Sequence, residues 1–443
     1  MALPERCAAE TPASPKAGPG AGQETILLGS ADGTFSDELL SLVLDAITES
    51  SAIKARTRAA LAESGERFSS YPELLGALQK LARDWVRQDA EALGFDPFAF
   101  FEALTAYKVR INENIDTYDR ASKANPDAVF WPNPERTPPR SVFETLPYIE
   151  KIPLVTKATP VASAGSCFAI EIARNLQRRG FNYIVTENET DDLAKGVLVD
   201  GVQEGNPYAQ FSANHGILFN TPSFRQLVEK AFEVRRPARI LLPTSIAARG
   251  GHRARIYMDP FREDVAFLSQ EAFEENYEKH LAAVREVFLS AEVFVVTPGL
   301  NECWEFVPDG SVLSRNPREF DLYPFVRHRT LSIAENVANL QRMIEVVRAH
   351  NPNFKLIISL SPVPFLATGR AKECHVITAN SHSKAVLRVA IEEVVKANRD
   401  VFYFPSYEFV TTCIESPWDA DQRHVKLETV GRVMELFDDM FVY

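Results

Sequence analysis

Residues 161–169 read Val-Ala-Ser-Ala-Gly-Ser-Cys-Phe-Ala, a short apolar run that reaches Gly165 and turns into an amphipathic segment opening on Ser166 and Cys167. Two nucleophile types therefore stand side by side at a strand-to-helix corner. Ala169, Ile172, Ala173 and Leu176 follow at helical spacing, Arg178 and Arg179 fill the last turn, and Gly180 can close the helix in a left-handed conformation. Free backbone N–H groups and the helix dipole at such a terminus stabilise a thiolate or an oxyanion. The competing reading is a Gly-Ser turn and N-cap, with Cys167 buried as a small apolar residue.

Three further segments carry groups that such a nucleophile needs. In Asp421-Gln-Arg-His424 an Asp three residues before a His can bond the imidazole N–H, fix its tautomer and stabilise the imidazolium it becomes on taking a proton. Of the eight histidines, His424 alone has this arrangement beyond the last expected strand. Asn301 lies on a loop just past the run 293–297, where its amide can donate to a developing oxyanion or simply bond its own turn. Gly216, in His215-Gly-Ile-Leu-Phe-Asn220, offers a backbone N–H unobstructed by a side chain, with a plain turn as the alternative. The Arg-rich stretch 235–255 reads as a solvated basic loop or as a partner for an anionic group.

The elements that must position these residues follow from periodicity. From about residue 141, short buried runs alternate with amphipathic helices, the signature of a parallel sheet covered on both faces. Strands are expected at 161–164, 183–186, 293–297, 354–360 and 401–404. Helices are expected at 224–233, 273–289, 331–350, 384–397 and from about 426. Ligand sites in such folds lie beyond the carboxyl ends of the strands, where Ser166, Cys167 and Asn301 fall. Before this domain, residues 26–140 read as a helical accessory region with helices at 35–50, 72–85 and 97–118, closed by Pro132, Pro134, Pro138 and Pro139. Residues 1–25, rich in Ala, Pro and Gly, read as a disordered tail.

Composition narrows the function classes. The chain has 443 residues, 45% of them hydrophobic, and a net charge of −12, which argues against nucleic acid or an anionic membrane surface as partner and favours a small substrate. No leader-like opening and no run near the ~20 apolar residues of a membrane span is present, so a cytoplasmic location is expected. The five cysteines, Cys7, Cys167, Cys303, Cys374 and Cys413, are scattered without a C-x-x-C pair, and H-E-x-x-H is absent, so neither a disulfide framework nor a metal or other cofactor is expected.

Gly165-Ser-Cys-Phe-Ala169 reproduces the motif that names the GSCFA domain family. The blocks 216–220, Ser361-Pro-Val-Pro364 with Ala367-Thr368, Ala379-Asn-Ser-His-Ser-Lys384 with Leu387-Arg388, and Tyr403-Phe-Pro-Ser-Tyr-Glu408 resemble that family in the same order, over residues 152–437. The family is similar to the SGNH (GDSL-like) hydrolases. That resemblance implies a three-layer α/β/α sandwich on a mostly parallel five-stranded sheet and an acyl-ester hydrolase or O-acyltransferase acting on acylated carbohydrate. It places Cys167, or Ser166 if the register slips by one, as nucleophile and His424 and Asp421 as base and orienting acid. Asn301 and Gly216 then belong to the oxyanion hole. Cys replaces the usual Ser, and Glu302 stands where the broader group has Asp. The alternative is a non-catalytic binding or scaffold protein of the same fold.

Overall fold

The computed structural model describes residues 36–443 except 89, 122–127, 188–195, 200–207, 248–252, 263–264, 318–319 and 371. The expected tail and residues 248–252 of the Arg-rich stretch lie outside the described residues. The chain divides into two compact units, Met1–Phe130 and Trp131–Tyr443.

In the first unit the described elements are helices: α1 (Asp37–Ile47), α2 (Ser51–Ser64), α3 (Tyr71–Val86), the single turn α4 (Ala90–Leu93) and α5 (Pro97–Ala121). Ser36 and Ser50 cap α1 and α2 by accepting the Leu39 and Ile53 N–H groups. Leu44, Leu78, Ala82, Trp85, Phe100 and Leu104 are buried together, with Trp85 packed on the Phe95 and Phe100 rings. Helix α2 was not anticipated. Only Ile53, Thr57 and Leu61 are buried along it, one position per turn, too narrow a stripe to stand out in the sequence.

After a short 3-10 helix at Val142–Glu144, the second unit runs through β1 (Val161–Gly165), α6 (Cys167–Arg178), β2 (Val197–Val199), α7 (Thr221–Ala231), β3 (Leu242–Ala247), β4 (Arg253–Met258), β5 (Val265–Phe267) and α8 (Gln270–Ser290). It continues with β6 (Val293–Thr297), β7 (Glu302–Phe306), β8 (Ser311–Val312), β9 (Val326–Thr330), α9 (Ile333–Arg348), β10 (Lys355–Ile358), α10 (Val376–Ala397), β11 (Val401–Tyr403) and α11 (Leu427–Phe441). The central sheet is parallel, in the order β1-β6-β10-β11. Its strands end along one rim at Gly165, Thr297, Ile358 and Tyr403.

Alternation along the strands decides which helices cover which face. Ala162, Ala164, Phe294, Val296, Leu356 and Ile358 pack in one cluster with buried residues of α7, α8, α9 and α10. Val161, Val293, Val295 and Ile357 pack in another with Phe168, Ile172 and Leu176 of α6 and Val433, Phe437 and Phe441 of α11. Helix α6 ends as its sequence suggests: Gly180 has φ +72°, and the Gly180 and Phe181 N–H groups donate to the Gln177 and Leu176 carbonyls.

Two expectations need correcting. The sheet has four described strands where five were expected, because the candidate at 183–186 makes only a single bridge, Tyr183 to Val161. Beyond it, Thr186 gives its N–H to the Ser212 carbonyl and its hydroxyl to the Ser212 and Ala283 carbonyls, so the backbone leaves the ladder after one pair.

The second correction is that two antiparallel sheets, β2-β5-β4-β3 and β8-β7-β9, were missed. Strand β9 reads Val-Arg-His-Arg-Thr; Arg327 and Arg329 bond Glu305 of β7, and His328 bonds Glu302. Charge pairing across strands replaces the apolar alternation that marks a strand in sequence. Strand β3 and the start of β4 likewise fall in the Arg-rich stretch that read as a basic loop or as a partner for an anionic group. No helix among the described residues is long and apolar enough to cross a membrane.

Candidate functional site

Strand β1 delivers Gly165 against the end of β6 so closely that a Cβ on Gly165 would lie 2.2 Å from Thr297 Oγ1 and 3.0 Å from Thr297 N. Only glycine permits that approach. Ser166 follows in extended conformation, and its side chain makes no capping bond to α6. Instead Ser166 Oγ is buried 3.1 Å from Ser361 Oγ and 3.3 Å from Thr297 Oγ1, while its N–H donates to Thr297 Oγ1 at 3.2 Å. Cys167, the first helical residue, is partly buried and opens with Ser166 onto a cleft of about 580 Å³.

The electrostatics of Cys167 differ from what its helix position suggests. Burial pushes the thiol above its ordinary pKa. Arg423, the N–H groups of Phe168 and Cys167, and Lys384 pull it back without overcoming that effect. The helix terminus favours a thiolate, as expected, but desolvation outweighs it.

Asp421 and His424 form the anticipated pair. Asp421 Oδ2 lies 2.5 Å from His424 Nδ1, and Asp421 Oδ1 accepts the N–H groups of Arg423 at 3.0 Å and His424 at 2.9 Å. The N–H groups of His424 and Arg423 and the imidazole itself hold the Asp421 carboxyl down at about 2. Arg423 Nη1 lies 3.2 Å from His424 Nε2. A guanidinium only donates, so Nε2 is the acceptor and the ring proton sits on Nδ1, facing Asp421: the tautomer a general base requires. No hydrogen bond joins His424 to Cys167 or Ser166 among the described residues, and Asp421 and His424 do not line the cleft. Arg423 does, and it links the pair to the cleft wall.

The two expected oxyanion elements are placed elsewhere. Asn301 is fully buried, donating its N–H to Ser383 Oγ and its Nδ2 to the Leu331 carbonyl, and its Oδ1 has no partner among the described residues. Gly216 is buried at φ +72° with its carbonyl 2.7 Å from His215 Nδ1. Neither lines the cleft. From the same loop it is Asn220 that does; its Oδ1 caps α7 by accepting from the Ser223 N–H and hydroxyl, which leaves its amide nitrogen to donate.

A family model for the GSCFA family matches residues 160–437. The chain belongs to the GSCFA family. No curated protein matches. The GSCFA motif itself is the corner just described: Gly165 for close approach to β6, Ser166 for the buried hydroxyl row with Thr297 and Ser361, Cys167 at the cleft, and Phe168 and Ala169 in the α6 packing.

Two residues at the site, Lys384 and Glu302, were given no role from the sequence. Lys384 of α10 is 2% exposed, and its Nζ donates to the carbonyls of Gly299 at 3.0 Å, Ser361 at 2.7 Å and Val363 at 2.9 Å, all three of which line the cleft. Three acceptors need three N–H donors, so this geometry holds an ammonium, yet burial brings its pKa down to about 7. Its readable signal is its spacing: Lys384 sits in the stripe of Leu387, Ile391 and Val394, a core position where a lysine is out of place.

Glu302 is the second. It accepts from Thr368 Oγ1, the Gly369 N–H and His328 Nε2, clamping the loop after β10 to β7. Burial raises its pKa, and these bonds outweigh that and hold it below the ordinary carboxylate range. Among the described residues no group of three or more His, Cys, Asp or Glu is placed to hold a metal ion.

Proposed function

We propose that the chain is an SGNH-like acyl-ester hydrolase or O-acyltransferase that works through a covalent thioester at Cys167. One observation carries this reading. The motif thiol opens onto a large cleft whose wall includes Arg423, and Arg423 is hydrogen-bonded to a histidine already held by Asp421 in the proton-accepting tautomer.

In this mechanism His424 Nε2 takes the thiol proton as Sγ attacks the acyl carbonyl carbon. The tetrahedral oxyanion is received by the N–H groups at the start of α6 and by the Asn220 amide, in place of Asn301 and Gly216. The protonated imidazole returns the proton to the departing alkoxide. His424 then takes the proton of a water or sugar hydroxyl as its oxygen attacks the thioester carbon, the C–S bond breaks, and the proton passes to the released sulfur to restore the thiol. Ser166 is a poor nucleophile by comparison, since the residue is 3% exposed and its hydroxyl is engaged with Thr297 and Ser361. By the SGNH resemblance the substrates are O-acyl groups on carbohydrate. The lack of a direct bond between His424 and Cys167 favours the second reading, a binding protein that keeps the fold without turnover.

Release of product from an aryl acetate and from acetylated sugars, with and without an acceptor sugar, separates the two. Loss of turnover in Cys167→Ala and His424→Ala is expected. Equal release by wild type, Cys167→Ala, Ser166→Ala and His424→Ala would remove the enzyme reading, and loss in Ser166→Ala alone would move the nucleophile by one residue.

A further inference from the structure

We infer that the cleft receives a substrate bearing a carboxylate or phosphate group and that Arg423 is the residue that binds it. This rests on the acyl-transfer reading of the same cleft. Arg423 shares the wall with Cys167, and its bonds run to neutral acceptors: Nε to the Pro364 carbonyl at 3.1 Å and Nη1 to His424 Nε2 at 3.2 Å. Among the described residues no carboxylate lies within ion-pair distance of its guanidinium. The nearby Asp421 is turned instead to two backbone N–H groups and the imidazole.

The rest of the cleft does not supply the missing negative charge. Glu302 is its one acidic lining residue among those described, and its oxygens are taken by His328, Thr368 and Gly369. Behind the wall the Lys384 ammonium is held by three carbonyls with no carboxylate beside it. A chain of net charge −12 thus keeps the Arg423 guanidinium without a carboxylate partner at the cleft where its motif thiol opens, and Arg315 adds a second cationic side chain to the lining.

The guanidinium retains enough N–H donors for a two-pronged bond to a carboxylate or phosphate, the strongest interaction it makes. An anion that takes Nη1 also draws Arg423 off His424 Nε2, which leaves that nitrogen free to accept the thiol proton. Binding of the anionic group and arming of the base are therefore one movement.

The test compares alkylation of Cys167 by iodoacetate and by iodoacetamide, followed by peptide mass spectrometry with glutathione as reference thiol. In both reactions sulfur displaces iodide from carbon, forming S–C and breaking C–I, and the thiol proton passes to solvent. The reagents differ in charge, so the ratio of their rates cancels any change in thiol ionisation.

We expect the iodoacetate-to-iodoacetamide ratio at Cys167 to exceed that of glutathione by about tenfold. Arg423→Gln should return it to the glutathione value, and Arg423→Lys should keep part of the excess. Succinate and inorganic phosphate, added separately, should slow iodoacetate, and whichever protects names the anion. A ratio equal to that of glutathione and unmoved by Arg423→Gln, or protection by neither anion, overturns the inference. Turnover of a neutral aryl acetate with no such bias would sink the anion reading alone. Bias without turnover would sink the hydrolase reading alone.

Discussion

Replacing Lys384 with methionine removes the ammonium while keeping the length of the side chain, and the structure fixes how stability should respond to pH. The unfolded chain holds this proton up to about 10.5, whereas burial makes the folded protein release it near 7. Between those values folding expels a proton, so the lysine's contribution to stability is fully present above about 10.5 and is lost as pH falls through 7. At about 1.4 kcal/mol per unit, and allowing for half-titration at the start, the stability of wild type relative to K384M should rise by about 2 kcal/mol from pH 7 to pH 9.

The thiol of Cys167 does not disturb that window, because burial pushes its own titration above the ordinary value of 9.0. Apart from that slope, K384M leaves the Gly299, Ser361 and Val363 carbonyls without the lysine's N–H donors, at roughly 1 kcal/mol or more for each bond lost. Urea unfolding of both proteins by circular dichroism at pH 6, 7, 8 and 9 measures the gap. A gap that stays flat from pH 6 to pH 9 would show that Lys384 titrates as an exposed lysine and would refute the burial argument.

Further outcomes follow from the same geometry. Gly165→Ala drives a Cβ into Thr297 and should cost about 1–3 kcal/mol by parting β1 from β6 at the start of α6, read as a lower urea midpoint. Glu302→Ala frees the loop after β10 from three bonds, and trypsin should cut after Arg370 faster than in wild type; unchanged cleavage would mean that Glu302 does not hold the loop. Iodoacetamide labelling of Cys167 should rise with pH to values above the ordinary cysteine titration, since desolvation disfavours the thiolate, and a midpoint below that of glutathione would contradict it. Asp421→Asn withdraws the acceptor that keeps the imidazole proton on Nδ1 and, on the acyl-transfer reading, should lower ester turnover by roughly four orders of magnitude, with little change in KM.

Much of this protein is local and was therefore legible in its sequence. Val161, Val293 and Leu356 lie in runs whose apolar character and length announce buried parallel strands, and the Asp421–His424 pair closes within one turn, so both follow from neighbours along the chain. What sequence did not yield depends on groups far apart in it. The charges of Arg327 and Arg329 hide a strand until Glu305 is brought beside them, and the candidate at 183–186 loses its ladder to carbonyls of residues 212 and 283.

The candidate site divides along the same line. The corner between β1 and α6 was written in Gly165, Ser166 and Cys167, because a strand end, a tight approach and a helix start are set by adjacent residues. Tertiary packing alone decided that Asn301 turns to Leu331, that Asn220 faces the cleft in its place, and that Lys384 and Arg423 stand near the thiol without a carboxylate. Backbone propensity acts over a few residues, whereas burial and charge act through space, and residues from four strand ends and their loops had to converge before either had an address.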